Sequence, residues 1–207
     1  MEIISLSVTG FESNCFIIHN SVEAFVVDPS TSEQKILWAL EKNGLTLKGI
    51  LLTHGHFDHI FRAQELRDAT GAPLYIHELD AEMLNDADKN AYHTFTGKYF
   101  VIKKAADVLL HDADEISLGD EKIKVIHTPG HTKGSVCYDT GDALITGDTI
   151  FAEGFGRCDL YGGDVSALKH SIQKLTEMAK TENRWIYPGH GNTSTLRQAT
   201  ENLKYYF

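Results

Sequence analysis

The chain has 207 residues, 42% hydrophobic and 23% charged, which is ordinary for a globular protein with one sizeable core. Nineteen basic against twenty-nine acidic residues give a formal charge of -10 with no basic cluster, which makes nucleic acid a poor partner. There is no apolar run of membrane-span length and no basic leader at Met1-Glu2-Ile3, and the three cysteines (Cys15, Cys137, Cys158) are widely spaced. The expectation is a cytoplasmic single domain over 1–207 with unpaired thiols and no membrane partner.

The first thirty residues read as three strands, Ile3 to Val8, Cys15 to His19 and Ala24 to Val27, separated by turn-forming Gly10, Asn14 and Asn20. Asp28-Pro29 ends the third. Thr31 to Gln34 has capping-box spacing and predicts a helix carrying Ile36, Leu37 and Leu40 that stops at Gly44. A strand from Ile50 to Leu52 follows, then a turn, a helix with Ile60, Ala63 and Leu66 on one side, and a short strand from Leu74 to His77.

Residues 78–106 mix acidic residues with Tyr92, Phe95, Tyr99 and Phe100, and hydrophobic periodicity fades after Leu84, so a helix followed by a long loop is expected. Such a loop is either a lid over a substrate or a surface excursion held down by its aromatics, and both readings stand. Short apolar segments at 108–110, 115–118, 122–126, 135–138 and 143–145 predict a second sheet. Asp164 caps a helix with Val165, Leu168, Ile172, Leu175 and Ala179 on one stripe; a last strand spans Trp185 to Tyr187, and Leu196, Ala199, Leu203 and Tyr206 mark a closing helix. The order predicts an α/β fold of two packed sheets with helices outside.

The turn His54-Gly55-His56-Phe57-Asp58-His59 crowds three imidazoles and a carboxylate into six residues directly after an apolar strand. A tight loop of this kind can aim His54 and His56 at one metal and Asp58 and His59 at another. Three more strands run into Gly- or Pro-bearing turns that present His131, Asp148 and His190. If neighbouring strands end on one edge, these converge on the first turn. A histidine after a strand is weak evidence by itself, but four such constructions in one chain point to a metal site.

H-x-H-x-D-H, followed in order by H-T-P-G-H-T, T-G-D-T and Y-P-G-H across residues 50–190, resembles the metallo-β-lactamase fold superfamily. Within it the chain looks most like the glyoxalase II-like (hydroxyacylglutathione hydrolase-like) enzymes, since Asp148 is an Asp and both His56 and His59 are kept. It resembles a short form without the C-terminal helical domain. The resemblance implies a four-layer αββα sandwich and two divalent metal ions, Zn²⁺ first, with Fe or Mn as alternatives. It assigns His54, His56 and His131 to one metal, Asp58, His59 and His190 to the other, and Asp148 as the bridge.

The expected activity is thioester hydrolysis, on a substrate such as a hydroxyacylglutathione, through a metal-bridging hydroxide that the catalytic Asp58 orients. One alternative is a mononuclear iron persulfide dioxygenase on the same ligands; a second is a metal-binding protein without turnover. Arg157 either pairs with a substrate carboxylate or braces its loop against Asp159, and Cys158 is expected to be an inert thiol. Lys133 is a candidate anchor for an anionic substrate group, and Tyr92 and His93 are candidate lid contacts to a small-molecule thioester.

Overall fold

Strand Cys15–His19 shows why the chain reads as continuous apolar runs. Cys15 and Ile17 pack with helical Ile36, Leu40, Ile60 and Leu66, whereas Phe16 and Ile18 pack with Ile123, Val125, Tyr138 and Ile145 of a second sheet. A strand buried on both faces has no reason to alternate polar and apolar residues. A third apolar cluster joins Ile126, Cys137, Leu144 and Ile186 of that second sheet to Leu168, Ile172, Leu175, Leu196 and Leu203. The three clusters therefore separate four layers, helix, sheet, sheet and helix.

The computed structural model describes residues 1–6, 13–204 and 206, so the expected strand end at Val8 and the turn at Gly10 lie outside the described residues. The first sheet runs in spatial order β1 (Glu2–Leu6), β2 (Cys15–His19), β3 (Glu23–Val27), β4 (Thr46–Leu51), β5 (Leu74–His77) and β6 (Val108–Leu110). Its first two pairings are antiparallel and the remaining three parallel. The second sheet holds β7 (Glu115–Leu118), β8 (Glu121–His127), β9 (Val136–Asp139), β10 (Ala143–Gly147), β11 (Trp185–Pro188) and β12 (Ser194–Thr195). Only β10 and β11 pair in parallel there, so both sheets are mixed.

Helices α1 (Glu33–Lys42), α2 (Phe57–Ile60) and α3 (Ala63–Thr70) follow strands of the first sheet. Helix α4 (Tyr92–Thr96) lies in the excursion between β5 and β6, and α5 (Val165–Thr181) and α6 (Leu196–Leu203) pack on the second sheet. In α5, Asp164 accepts from Ser166 N and Ala167 N, and Leu168, Ile172, Leu175 and Ala179 are buried as the stripe predicts, whereas Val165, at the first helical position, is exposed. Truncating one of its large apolar residues would cost about 2–5 kcal/mol. None of the described helices is long and apolar enough to cross a membrane.

Several expectations are corrected. Val108–Leu110 belongs to the first sheet: it pairs with Tyr75–His77, and Asp107 pins it there by accepting from Leu74 N and Arg67. Three apolar residues do not say which sheet they join. The cap of α1 is Ser32, whose hydroxyl accepts from Lys35 N, while Thr31 is buried. The helix after the His-rich turn is two helices, broken where Arg62 N bonds Pro29 O instead of continuing the ladder. Tyr206 lies beyond the closing helix and is exposed.

The stretch 78–106 is more ordered than a long loop. It holds a 3₁₀ helix at Glu78–Asn85 and then α4. Buried Leu84, Asn90 and Ile102 tie it down, with Ile102 N on Leu84 O at 2.6 Å and Asn90 Nδ2 on Phe100 O at 3.0 Å. Residues 94–99 stay exposed.

Candidate metal centre

The C-terminal ends of β3, β4, β8, β10 and β11 open on one edge of the sandwich, and each is followed by a residue of one cluster. Asp28 follows β3; His54, His56, Asp58 and His59 follow β4; His131, Asp148 and His190 follow the other three. Gly189 makes room for this, since a Cβ there would sit 2.2 Å from Asp148 Oδ1 and 2.6 Å from His59 Cε1. Ligand-type atoms of His54, His56 and His131 lie within 4.8 Å of one another, as do those of His54, His59 and Asp148, and those of Asp58, His59 and His190. Asp148 stands between the groups. Its Oδ1 is 3.3 Å from His59 Nε2, and its Oδ2 is 3.5 Å from His131 Nε2 and 3.6 Å from His190 Nε2.

Each imidazole is oriented from behind. His131 Nδ1 donates to the Arg157 carbonyl at 2.7 Å, and His59 Nδ1 donates to Asp28 Oδ2 at 2.8 Å. Thr53 Oγ1 donates to Asp28 at 2.6 Å, which leaves its lone pair for His54 Nδ1–H at 3.1 Å. With the proton on Nδ1, His54 and His131 turn a bare Nε2 inward, and His59 turns its Nε2 toward Asp148. A second buried carboxylate, Asp80, ties two ligand turns together by accepting from Gly55 N, Thr132 Oγ1 and Gly134 N. Ser13 Oγ donates to the Asp58 carbonyl, and Asn14 Nδ2 to Pro188 O beside His190.

Burial, then the neighbouring imidazoles, hold His54 well below the usual histidine range; burial and then His131 hold His56 at about 3. Both are neutral at pH 7, the form that ligates. Burial also disfavours charge on His59, but Asp148, Asp58 and Asp28 outweigh it and raise that group well above its ordinary value. For Asp58 and Asp148 burial alone would raise the carboxyl; the neighbouring imidazoles, His59 first, together outweigh it and both lie below the usual range.

These residues fit divalent metal ions. His131 Nε2 and His54 Nε2, both bare by the wiring above, face each other at 3.2 Å, and His56 Nδ1 lies 2.8 Å from the same His131 nitrogen. The two Nε2 lone pairs of His54 and His131 so placed repel unless a cation sits between them. His59 Nε2 and Asp148 Oδ1 are buried with no hydrogen-bond partner among the described residues, a cost that metal ligation removes. Imidazole and carboxylate donors suit Zn²⁺, Fe and Mn alike.

A cavity of about 710 Å³ opens over the cluster, floored by His56, Asp58, His131, Asp148 and His190. Of the residues expected to meet substrate, Arg157 lines it, with its guanidinium held by Asp159 through bonds of 2.6 and 2.7 Å. The loop-bracing reading of Arg157 thus describes this structure. Tyr92 turns instead onto Phe57 and Phe61, and His93 bonds Asp88 at 2.7 Å and stacks on Tyr99. Their neighbours Phe95 and Thr96 reach the cavity because one turn of α4 presents only one side to it. Lys133 lies over the Tyr161 ring, beside a separate hollow. Cys158 is raised by burial and then by Asp164 and Asp159, an unreactive thiol.

Asp28 and Asp80 were not singled out from the sequence. Asp28 had a signal, for Ala24 to Val27 runs into Asp28-Pro29 in the same strand-then-polar-turn construction as the ligands. Asp80 had none, since its role depends on two turns meeting.

A family model described as the metallo-beta-lactamase superfamily matches residues 8–190. The chain is 34% identical to "Probable metallo-hydrolase YqgX" of Bacillus subtilis (strain 168), covering 95% of this chain and 94% of that protein. It is 31% identical to "Probable polyketide biosynthesis zinc-dependent hydrolase PksB" of the same organism, over 87% and 74%. Among solved structures it is similar to BLEG-1 B3 metallo-beta-lactamase, with 31% identity, TM-score 0.90 and 99% coverage of both chains. TTHA1623 in a di-iron-bound form gives 27% identity, TM-score 0.84 and 98% and 99% coverage. ETHE1 from Myxococcus xanthus shares the fold at 24% identity and TM-score 0.78, over 99% of this chain and 82% of its own.

Proposed function

The chain belongs to the metallo-beta-lactamase superfamily, and from that premise we propose that it is a binuclear metal-dependent hydrolase of the glyoxalase II-like kind that cleaves a small-molecule thioester. One observation carries the reading: Asp148 offers oxygens to His131 on one side and to His59 and His190 on the other, the placement of a carboxylate shared by two ions. His54, His56 and His131 would hold one ion, and Asp58, His59 and His190 the other. Bound there, the ions would polarise a carbonyl and lower the pKa of water.

The remaining work falls to the chain. Asp58 lines the cavity with its carboxyl below the usual range, so at neutral pH it can accept a proton from an attacking water and orient it. Asp28, Thr53 and the Arg157 carbonyl hold the imidazoles in the ligating tautomer. Phe57, Phe95 and Phe151 shield the reacting centre from bulk water.

Zinc is supported by the name of PksB and iron by that of TTHA1623, so metal identity is part of the test. Metal analysis of protein purified without chelator, paired with S-lactoylglutathione and simple acyl thioesters as substrates, addresses metal count and reaction together. Two bound ions with thioester turnover support the proposal. A single iron with oxygen consumption on glutathione persulfide would replace it with the dioxygenase reading. A second reading, β-lactam hydrolysis, is favoured by the likeness to BLEG-1 and is tested by rate comparison below.

A further inference from the structure

The wall of the cavity differs in character from its floor. Above the His and Asp cluster stand Phe57, Ala91, Phe95, Phe151 and Leu160. Phe95 is 54% exposed, an aromatic ring left in water at the mouth, and packs on Phe57 with centroids 5.9 Å apart. Phe151 sits edge-on to His190 at 6.0 Å, so the apolar wall runs down to the cluster without a polar break. Apolar surface of this extent beside a reacting centre is covered when a substrate brings apolar surface of its own.

Charge points the same way. Arg157 is the single Lys or Arg among the lining residues, and its Nε and Nη2 both donate to Asp159. A carrier bearing several free carboxylates would find one arginine side chain in the lining, already shared with Asp159, and no lysine.

We propose that this cavity takes an apolar acyl chain, unbranched or aromatic, joined by its thioester to an uncharged thiol arm. The proposal rests on the thioesterase reading for the reaction but not for the binding. Glutathione thioesters are then poor ligands, and the chain sits along Phe57, Phe95 and Phe151 with its carbonyl over the cluster.

The test uses the metal-reconstituted full chain and S-(2-oxoalkyl) thioethers of N-acetylcysteamine, which keep a carbonyl and cannot be hydrolysed. Calorimetry across acyl lengths from two to eight carbons is expected to show Kd tightening by about threefold per methylene until the wall is filled. Phe95→Ala and Phe151→Ala are expected to flatten that dependence. A Kd that does not change with length in the wild-type protein, or a glutathione analogue that binds more tightly than the octyl-length ligand, overturns the proposal. Hydrolysis of the matching thioesters is measured separately. Length-dependent binding without turnover sinks the thioesterase reading and leaves the apolar site; turnover without length dependence does the reverse.

Discussion

Asp28 and His59 stand thirty-one residues apart in sequence and 2.8 Å apart in the fold, both with side chains almost wholly out of water. The same carboxylate accepts from Thr53 N at 2.8 Å and Thr53 Oγ1 at 2.6 Å, so one residue fixes the ring behind one group of ligands and the strand end that carries another. Asp28→Asn keeps size and tolerates the positive φ of 49° at this position. It places an amide NH₂ where only acceptors are wanted. Metal affinity is expected to fall about 10- to 100-fold, read by chelator competition. Unchanged affinity would show that packing alone orients His59.

Much of the fold was legible because strand ends announce themselves. His54 to His59, His131, Asp148 and His190 each follow an apolar run and a Gly- or Pro-bearing turn, and that local pattern needs no tertiary knowledge. Partnership between segments was not legible. Val108–Leu110 could have joined either sheet, and its place depends on Asp107 meeting Leu74 N and Arg67. Asp80 likewise looks like any acidic residue of 78–106 until Gly55, Thr132 and Gly134 surround it.

Asp148→Ala is expected to lose more metal than His190→Ala. Asp148 approaches His59, His131 and His190 at once, whereas His190 shares one ligand group, with Asp58 and His59, and is partly exposed. Both variants lose activity. Elemental analysis that finds two ions retained in Asp148→Ala would show the bridging assignment to be wrong.

The metal-free fold is expected to weaken as pH falls from about 6.5 toward about 4.5. His54 and His56 sit below the unfolded value of 6.5, so over this range the unfolded chain takes up two protons that the fold refuses. Each fully engaged group costs roughly 1.4 kcal/mol per pH unit. Asp80, raised by burial, works against this by at most one proton, because there the folded state protonates first. His59 has the opposite sign: its raised value contributes stability fully below 6.5 and loses it as pH climbs through the folded pKa. Thermal unfolding of chelator-treated protein should therefore give its highest Tm near neutrality. A Tm that holds or rises on going down to about pH 4.5 contradicts the wiring.

Shortening residues 94–99 to a brief glycine link is expected to raise KM severalfold while metal content stays that of the unaltered chain. These residues are exposed and carry Phe95 and Thr96 to the cavity, while the anchors Asn90 and Ile102 lie outside the cut. A cut through the anchors would unfold the excursion and test nothing about substrate. Unchanged KM on the preferred thioester would make this segment a surface ornament.

The leaving group separates a thioesterase from a β-lactamase. An amine must gain a proton as it departs, so an amide-cleaving site needs a positioned acid. A thiol with a pKa of about 8.5 can leave as the thiolate near neutral pH. Among the described residues that line the cavity, every acidic or imidazole group belongs to the ligand cluster. Asp58 and Asp148 lie below the usual carboxyl range, and His54 and His56 are neutral with their inner nitrogens turned to the cluster. The hydrogen bonds that Arg157 donates to Asp159 raise it further from any useful value, and Lys133 rests on Tyr161 outside the cavity. Thioester kcat/KM is therefore expected to exceed β-lactam kcat/KM by at least about a hundredfold, the low end of what general acid catalysis is worth. The likeness to BLEG-1 gives the comparison its edge, because the two share a scaffold. Comparable rates on both substrates, from one metal-loaded preparation, would mean that a donor is present after all, and Asp58, 3.1 Å from His190 Nε2, would be the first group to replace with Asn.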